Sequence, residues 1–433
     1  MTNEAFQQYL KVLGKTEFMP RSRLEEYQRG LIRHLIQHAR ANSPFYEKRL
    51  DCLIDHDGRI NLDRWNEVPI LTRAEVTQYS DQMRARNLPA SCGQVSEYKT
   101  SGSDGAALLF GVNWLATLAY NAAFTRLARW HKADPARALA QVRIYRKDPV
   151  PHYPNGQVSK GWSWLAPDAD VFGLDMRASV ADQIEWLSRH PVSYLMTLPS
   201  NAMALAYEAS DTTKNLRFEL IFSISETIIP GARELIVEKL GGKLIGIYSC
   251  EEVGYIATEC PLEPHYHVCS EMTLVEVVDD TERPVATGQA GRVLVTGLYN
   301  YATPFIRYDI GDVAVADDRP CPCGRTLPVL SQVLGRTRHA FVFKDGKRVW
   351  PRVWNANAMR AFVPCKEFQV VQIDFERIEF RYVAYGECTI DADGLRAYAK
   401  QNLHPSVEAI PVKVDRIDRG PGGKLDLFVS NLS

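Results

Sequence analysis

The chain has 433 residues, room for two or three domains with a sizeable core, and its 51 basic and 52 acidic side chains leave a net charge of −1. That balance argues against nucleic acid or an anionic membrane as the main partner, and the composition is that of an ordinary soluble globular protein. No apolar run approaches the roughly 20 residues needed to span a bilayer. The opening MTNEAFQQYLKVLGK lacks the basic-then-apolar pattern of a secretory signal. Nine thinly spread cysteines form poor disulfide grammar, so a cytoplasmic protein is expected.

In chain order, RLEEYQRGLIRHLIQHARANSPFY sets Leu24, Tyr27, Leu31 and Leu35 on one helical stripe, with Ile32 and Ile36 adjoining. Pro44 ends it by disfavouring helix in the residue before it. Past residue 100 the segments alternate: VADQIEWLSRH helical, PVSYLMT extended, PSNAMALAYEA helical with Pro199 in its first turn. RFELIFSIS, PGARELIVEKLG and KLIGIYS then read as strand, helix and strand. This alternation predicts an α/β fold with parallel sheets covered by helices. From about 260 to 334 the texture becomes β-rich, as in TLVEVVDD, GRVLVTGLY and FIRYDIGDVAVAD, which predicts an antiparallel subdomain. The last segment mixes strands and helices in KEFQVVQIDFERIEFRYVAY and DADGLRAYAKQNL, a small α+β domain. The expected division is 1–336 for a large N-terminal domain and 337–433 for a small mobile one.

Several short motifs carry chemistry. YKTSGSDG, residues 98–105, is a hydroxyl-rich, Gly-punctuated turn leading into an apolar run, which reads as a phosphate loop or as a plain polar turn. SISET (223–227) and IYSCEEVG (247–254) each end a strand with polar groups. FIRYDIGD (305–312) puts Asp312 on a turn, GRTRH (335–339) opens the last segment, and GPGGKLD (420–426) sets Lys424 among glycines. Taken singly, Tyr248 could be core, Asp312 a local cap and Lys424 a solvated lysine.

The ordered set resembles the adenylate-forming enzymes, most closely the phenylacetate–CoA ligase branch. ARANSPFYEKRL and VPILTRAEV are similar to that branch's preamble, and CPCGRTLPVLSQVLGR to its Cys-rich approach to the domain hinge. The resemblance implies ATP-dependent activation of a carboxylic acid through an acyl-adenylate, then transfer to CoA. It implies that Thr100, Ser101, Gly102, Ser103 and Gly105 wrap the β- and γ-phosphates. Glu252 would hold Mg²⁺, a hard cation suited to carboxylate and phosphate oxygen. Tyr248 would stack on adenine beside Ser249, while Ser225, Glu226 and Thr227 line the nucleotide pocket. Asp312 would bind the ribose hydroxyls with help from Arg336, and Lys424 would neutralise charge developing during adenylation. Arg338 occupies the hinge position.

The sequence also departs from that pattern. Asp104 replaces a hydroxyl residue in the loop, Ala106-Ala107 replace Lys-Pro, Glu251 replaces Ser or Thr, and Arg338 replaces the hinge aspartate. A carboxylate within ~5 Å of a polyphosphate is repelled unless a cation intervenes. The alternatives are therefore an amine or carrier-protein acceptor, or a non-catalytic nucleotide-binding relative with a degenerate phosphate loop. Cys260, His267, Cys321 and Cys323 suit tetrahedral Zn²⁺, a structural site in similar members of the branch, with His265 and Cys269 near enough to compete as ligands. For the acid, taken by resemblance as aryl or arylacetic, the pocket candidates are TLPSNA (197–202) and the aromatic stretch 144–164, with Arg143 or Lys147 attracting the carboxylate. A homodimer is compatible with all of this.

Overall fold

The computed structural model describes residues 2–100, 107–210, 216–350, 354–384, 386–420 and 424–432. The chain forms two compact units, one from 1–134, 163–165 and 247–333, the other from 135–162, 166–246 and 334–433. This partition differs from the expected cut at 336/337. Its physical basis is that the last segment shares one hydrophobic cluster with 135–246, in which the fully buried Trp354 and Met359 join Leu205 and Ile236.

The first unit begins with the helices Thr2–Thr16 and Arg21–Asn42, the second of which buries Leu24, Ile32, Leu35 and Ile36. Arg73–Met83 starts at a full capping box: Thr72 accepts from the Glu75 N–H, and the Glu75 carboxylate accepts from the Thr72 N–H. Val95–Lys99 and Leu109–Asn113 make an antiparallel hairpin, followed by the helix Trp114–Trp130. Strands Thr273–Val278, Ala290–Gly297, Tyr308–Asp317, Val329–Arg336, Tyr266–Val268 and Gly254–Glu259 pair in that order, ending on residues 247–250. The first three pair antiparallel, as do the last four, as the β-rich texture predicts.

In the second unit, residues 243–246, Leu220–Ser223, Tyr194–Thr197, Leu139–Arg143 and Asp170–Asp175 pair parallel in that order. Gln157–Lys160 adds an antiparallel edge. Helices Val180–Ser188, Pro199–Ser210 and Ala232–Leu240 connect the strands, and all four residues of the strand Leu220–Ser223 are buried, which fits its apolar run LIF. Gly242, at φ +64°, lets the chain pass against the carbonyls of Phe218 and Glu219, where any Cβ would collide. The last segment is a four-stranded sheet in the order Glu408–Lys413, Arg377–Ala384, Cys365–Gln372, Phe428–Ser430, with helices Ala356–Phe362 and Ala392–Asn402. No helix among the described residues is long and apolar enough to cross a membrane.

Candidate active site

Of the residues expected to carry chemistry, Thr100, Tyr248, Ser249, Glu252 and Asp312 lie in the first unit, and Ser225, Glu226, Thr227, Arg336 and Lys424 in the second. Ser101, Gly102, Ser103, Gly105 and the two unusual residues Asp104 and Ala106 fall outside the described residues. Thr100 closes the base of that loop. Its N–H donates to the Leu108 carbonyl at 3.0 Å, and its hydroxyl accepts from the Leu108 N–H at 3.0 Å.

Tyr248 stands near the end of the strand Lys243–Cys250, where the pairing with Gly254–Glu259 slips between Tyr248 and Ser249. Such a bulge re-aims the side chains around it. The Tyr248 hydroxyl donates to Asp312 Oδ2 at 2.9 Å, so the residues expected at adenine and at ribose are neighbours. Glu252 follows on the turn. Tyr308 donates to it at 3.4 Å, and the Arg73 guanidinium lies 4.0 Å from the same oxygen. Burial, reinforced by the Glu252 charge, pushes the Tyr308 hydroxyl well up, which keeps it a donor. Arg73 and Tyr308 were not singled out from the sequence, although both sit in quoted motifs, LTRAEV and FIRYDIGD. Glu251, the residue before Glu252, is exposed.

In the second unit Ser225 takes φ +69°, an uncommon conformation for a residue with a side chain. It presents Glu226 inward. Glu226 Oε2 accepts from the Ser200 N–H and Oε1 from the Leu425 N–H, each at 3.0 Å. Burial pushes its carboxyl up, opposed by these bonds and by Arg419. Its carboxylate is thus occupied by backbone donors, which the reading of Glu226 as a pocket-lining residue did not anticipate. Thr227 lies close to Gly335, just before Arg336. Lys424 is half-buried, and its carbonyl accepts from the Gly420 N–H at 3.0 Å. Arg338, expected at the hinge, reaches Asp426 at 3.4 Å, and His339 reaches it at 3.5 Å.

The cysteine–histidine set converges in the first unit. Donor atoms of Cys260, His265, His267 and Cys321 all lie within 4.8 Å of one another. Cys260 and Cys321 sulfurs are 3.5 Å apart, and Cys323 Sγ is 3.2 Å from His267 Nε2. All four expected ligands are therefore gathered, with His265 as a fifth. Cys269 takes a different environment, against Arg126, Glu271 and Thr258. Burial holds His267 down to about 3 and lowers His265, so both imidazoles are neutral and keep a lone pair. The buried His265 Nε2 has no hydrogen-bond partner among the described residues. Burial pushes the Cys321 thiol up to about 12, so its thiolate needs a cation beside it. Two to three sulfurs with one or two neutral imidazoles form the donor chemistry of a closed zinc site.

In TLPSNA, Thr197 donates to the Val142 carbonyl and accepts from Asn201, so both side chains are satisfied in the core. In the aromatic stretch, Trp162 is buried with its indole N–H on the Arg137 carbonyl, and Arg143 stacks over Tyr145. Asp175 anchors that stretch by accepting from the Tyr145 N–H at 3.0 Å.

No family model matches the chain. It is 24% identical over 348 residues to a phenylacetate–coenzyme A ligase from Thermus thermophilus, covering 77% of this chain and 75% of that protein. Among solved structures, 2-hydroxyisobutyryl-CoA ligase in the postadenylation state in complex with R3-HIB-AMP superposes with a TM-score of 0.78 at 20% identity, covering 96% of this chain and 92% of the other. The same ligase with 2-HIB-AMP and CoA in the thioesterification state gives 0.64 at 20% identity, over 94% and 90%. The anthranilate–CoA ligase AuaEII in complex with anthranoyl-AMP gives 0.58 at 14% identity, over 77% and 65%.

Proposed function

We infer that this chain is an adenylate-forming ligase of the phenylacetate–CoA ligase-like kind, converting a carboxylic acid to its CoA thioester through an acyl-adenylate. The observation that carries the reading is the Tyr248–Asp312 hydrogen bond, which joins an aromatic ring and a carboxylate drawn from two separate motifs of the resemblance. In the first half-reaction a carboxylate oxygen attacks the α-phosphorus of ATP and pyrophosphate leaves. In the second, the CoA sulfur attacks the acyl carbon and AMP leaves.

The protein's work in the first step is positioning and charge stabilisation. Tyr248 and Ser249 hold the adenine side, and Asp312 accepts from the ribose hydroxyls with Arg336 assisting. Thr100 and the loop after it cradle the outer phosphates. Lys424 sets its ammonium between the α-phosphate and the incoming carboxylate, where negative charge accumulates. Glu252 is the residue that would hold Mg²⁺, which when bound screens phosphate charge. Arg73, 4.0 Å away, helps to keep that carboxylate in place. Arg338 serves as the pivot about which 337–433 reorients between the half-reactions, with CoA as the acceptor in preference to an amine or a separate carrier protein. Cys260, His267 and Cys321, completed by His265 or Cys323, would hold a structural zinc with no open position for catalysis.

An aryl or arylacetic acid is the proposed substrate class. Acid-dependent ATP–pyrophosphate exchange with Mg²⁺, run across aryl, arylacetic, heteroaryl and aliphatic acids, tests the reading independently of the acceptor. Exchange with one class identifies the substrate. No exchange with any acid, from folded protein that still binds ATP, overturns it in favour of a non-catalytic relative.

A further inference from the structure

We propose that Glu226 is a positioning residue for adenylation, docking the Lys424 loop through its carboxylate instead of lining the nucleotide pocket with it. The proposal rests on the catalytic role given to Lys424 above. The Leu425 N–H that Glu226 Oε1 accepts, at 3.0 Å, belongs to the peptide plane joining Lys424 to Leu425. The other end of that plane, the Lys424 carbonyl, is taken by the Gly420 N–H at 3.0 Å. Both polar ends of one rigid unit are thereby fixed, and with them the position of the Lys424 Cα from which the side chain departs.

Glu226 is itself immobilised. Its second oxygen accepts from the Ser200 N–H, in the first turn of the helix Pro199–Ser210, where backbone donors have no intrahelical acceptor. Arg419, beside Gly420, completes the clamp from the loop side: it donates to Glu367 Oε1 at 2.6 Å and reaches the Ser200 hydroxyl at 3.5 Å. One backbone amide of the core, Ser200, thus shares Glu226 with one backbone amide of the tail, Leu425. Bonds from N–H to an ionised carboxylate are about twice as strong as neutral ones. The left-handed backbone of Ser225 is the local cost of aiming Glu226 this way. Leu425 lies 199 positions from Glu226, so the contact ties the tail to the core across most of the second unit.

Misplacing a catalytic group by about 1 Å costs on the order of a hundredfold in rate. Glu226→Ala is therefore expected to slow ATP–pyrophosphate exchange ~10- to 100-fold. Thioester formation from pre-made acyl-adenylate and CoA, which needs no Lys424, should change far less, so the ratio of the two rates falls at least about tenfold. KM for ATP should stay near the wild-type value. Glu226→Gln keeps one acceptor oxygen and should fall between. Lys424→Ala runs beside them, with thermal melting to establish folding. Exchange lost in Lys424→Ala but retained in Glu226→Ala overturns the docking role alone; exchange retained in Lys424→Ala overturns the Lys424 reading and the docking with it. A raised KM for ATP at unchanged kcat, or an equal loss in both half-reactions, also overturns it. If Glu226→Ala does not fold, Arg419→Ala decides, since it loosens the same loop from the tail side: an unchanged ratio of half-reactions in that variant overturns the proposal.

Discussion

The Tyr248 hydroxyl donates to Asp312 Oδ2 at 2.9 Å, across 64 positions of chain. The bond ties the end of one strand to the middle of another, Tyr308–Asp317, inside which Asp312 lies and not on the turn that the sequence suggests. A net hydrogen bond of this kind is worth about 0.5–1.5 kcal/mol. Tyr248→Phe keeps the ring and loses the bond, so KM for ATP should rise about 2- to 12-fold, the factor equivalent to that range. The rise should come with a fall in melting temperature of about 1–6 °C, the same range converted for a unit of this size. Steady-state kinetics with varied ATP measure it; an unchanged KM would mean that Asp312 does not depend on Tyr248 for its orientation.

Close to one zinc per chain is expected by metal analysis of protein purified without chelator. Cys321→Ser should lower the zinc content at least to half, because Cys321 closes on both Cys260 and the imidazoles. Folding is coupled to metal binding where the site forms only in the native state. Chelator should therefore lower the melting temperature, by about 2–4 °C for each kcal/mol lost in a unit of this size. Protein that contains no zinc and is indifferent to Cys321→Ser has no such site.

Asp175 gives a pH signature. Burial raises its carboxyl, but the Arg177 guanidinium and the N–H groups of Tyr145 and Arg177 outweigh it and bring the group below its ordinary range. A lowered folded pKa means that the contribution to stability is full above the unfolded value of about 3.9 and is lost as pH falls through the folded one. The difference in unfolding free energy between wild type and Asp175→Asn should be flat from pH 7 to about 5 and shrink below about 4. Urea titrations at stepped pH measure it, and a difference that grows on acidification reverses the sign.

The sequence displays periodicity and composition, and those elements were legible. The runs 180–246 and 273–317 alternate or repeat as their burial demands, and the motif residues Tyr248 and Asp312 announce themselves by type. Partners that are backbone atoms leave no such trace. Nothing in SISET or GPGGKLD signals that Glu226 meets the Leu425 amide, because any residue but proline supplies that donor. Arg73 was equally silent, since an arginine in a first helical turn is ordinary until Glu252 is found beside it. The grouping of 334–433 with 135–246 escaped for a related reason. Apolar spacing shows that Trp354 and Met359 need burial, but not which surface covers them.

Arg126 and Glu271 are both almost fully buried and paired at 2.8 Å, with Thr16 also donating to the Glu271 oxygen. Arg126 stacks over Trp130 as well, so the helices Thr2–Thr16 and Trp114–Trp130 meet at this carboxylate. A buried pair need not add net stability, but removing one partner strands the other charge without solvent, at about 3–5 kcal/mol. Arg126→Met should therefore destabilise the first unit by that amount, while Arg126→Met combined with Glu271→Gln recovers at least ~1 kcal/mol, since no bare charge is left inside. Equilibrium urea unfolding of the two variants at pH 7 measures the difference. A double variant no more stable than Arg126→Met would mean that packing against Trp130, and not the stranded carboxylate, sets the cost.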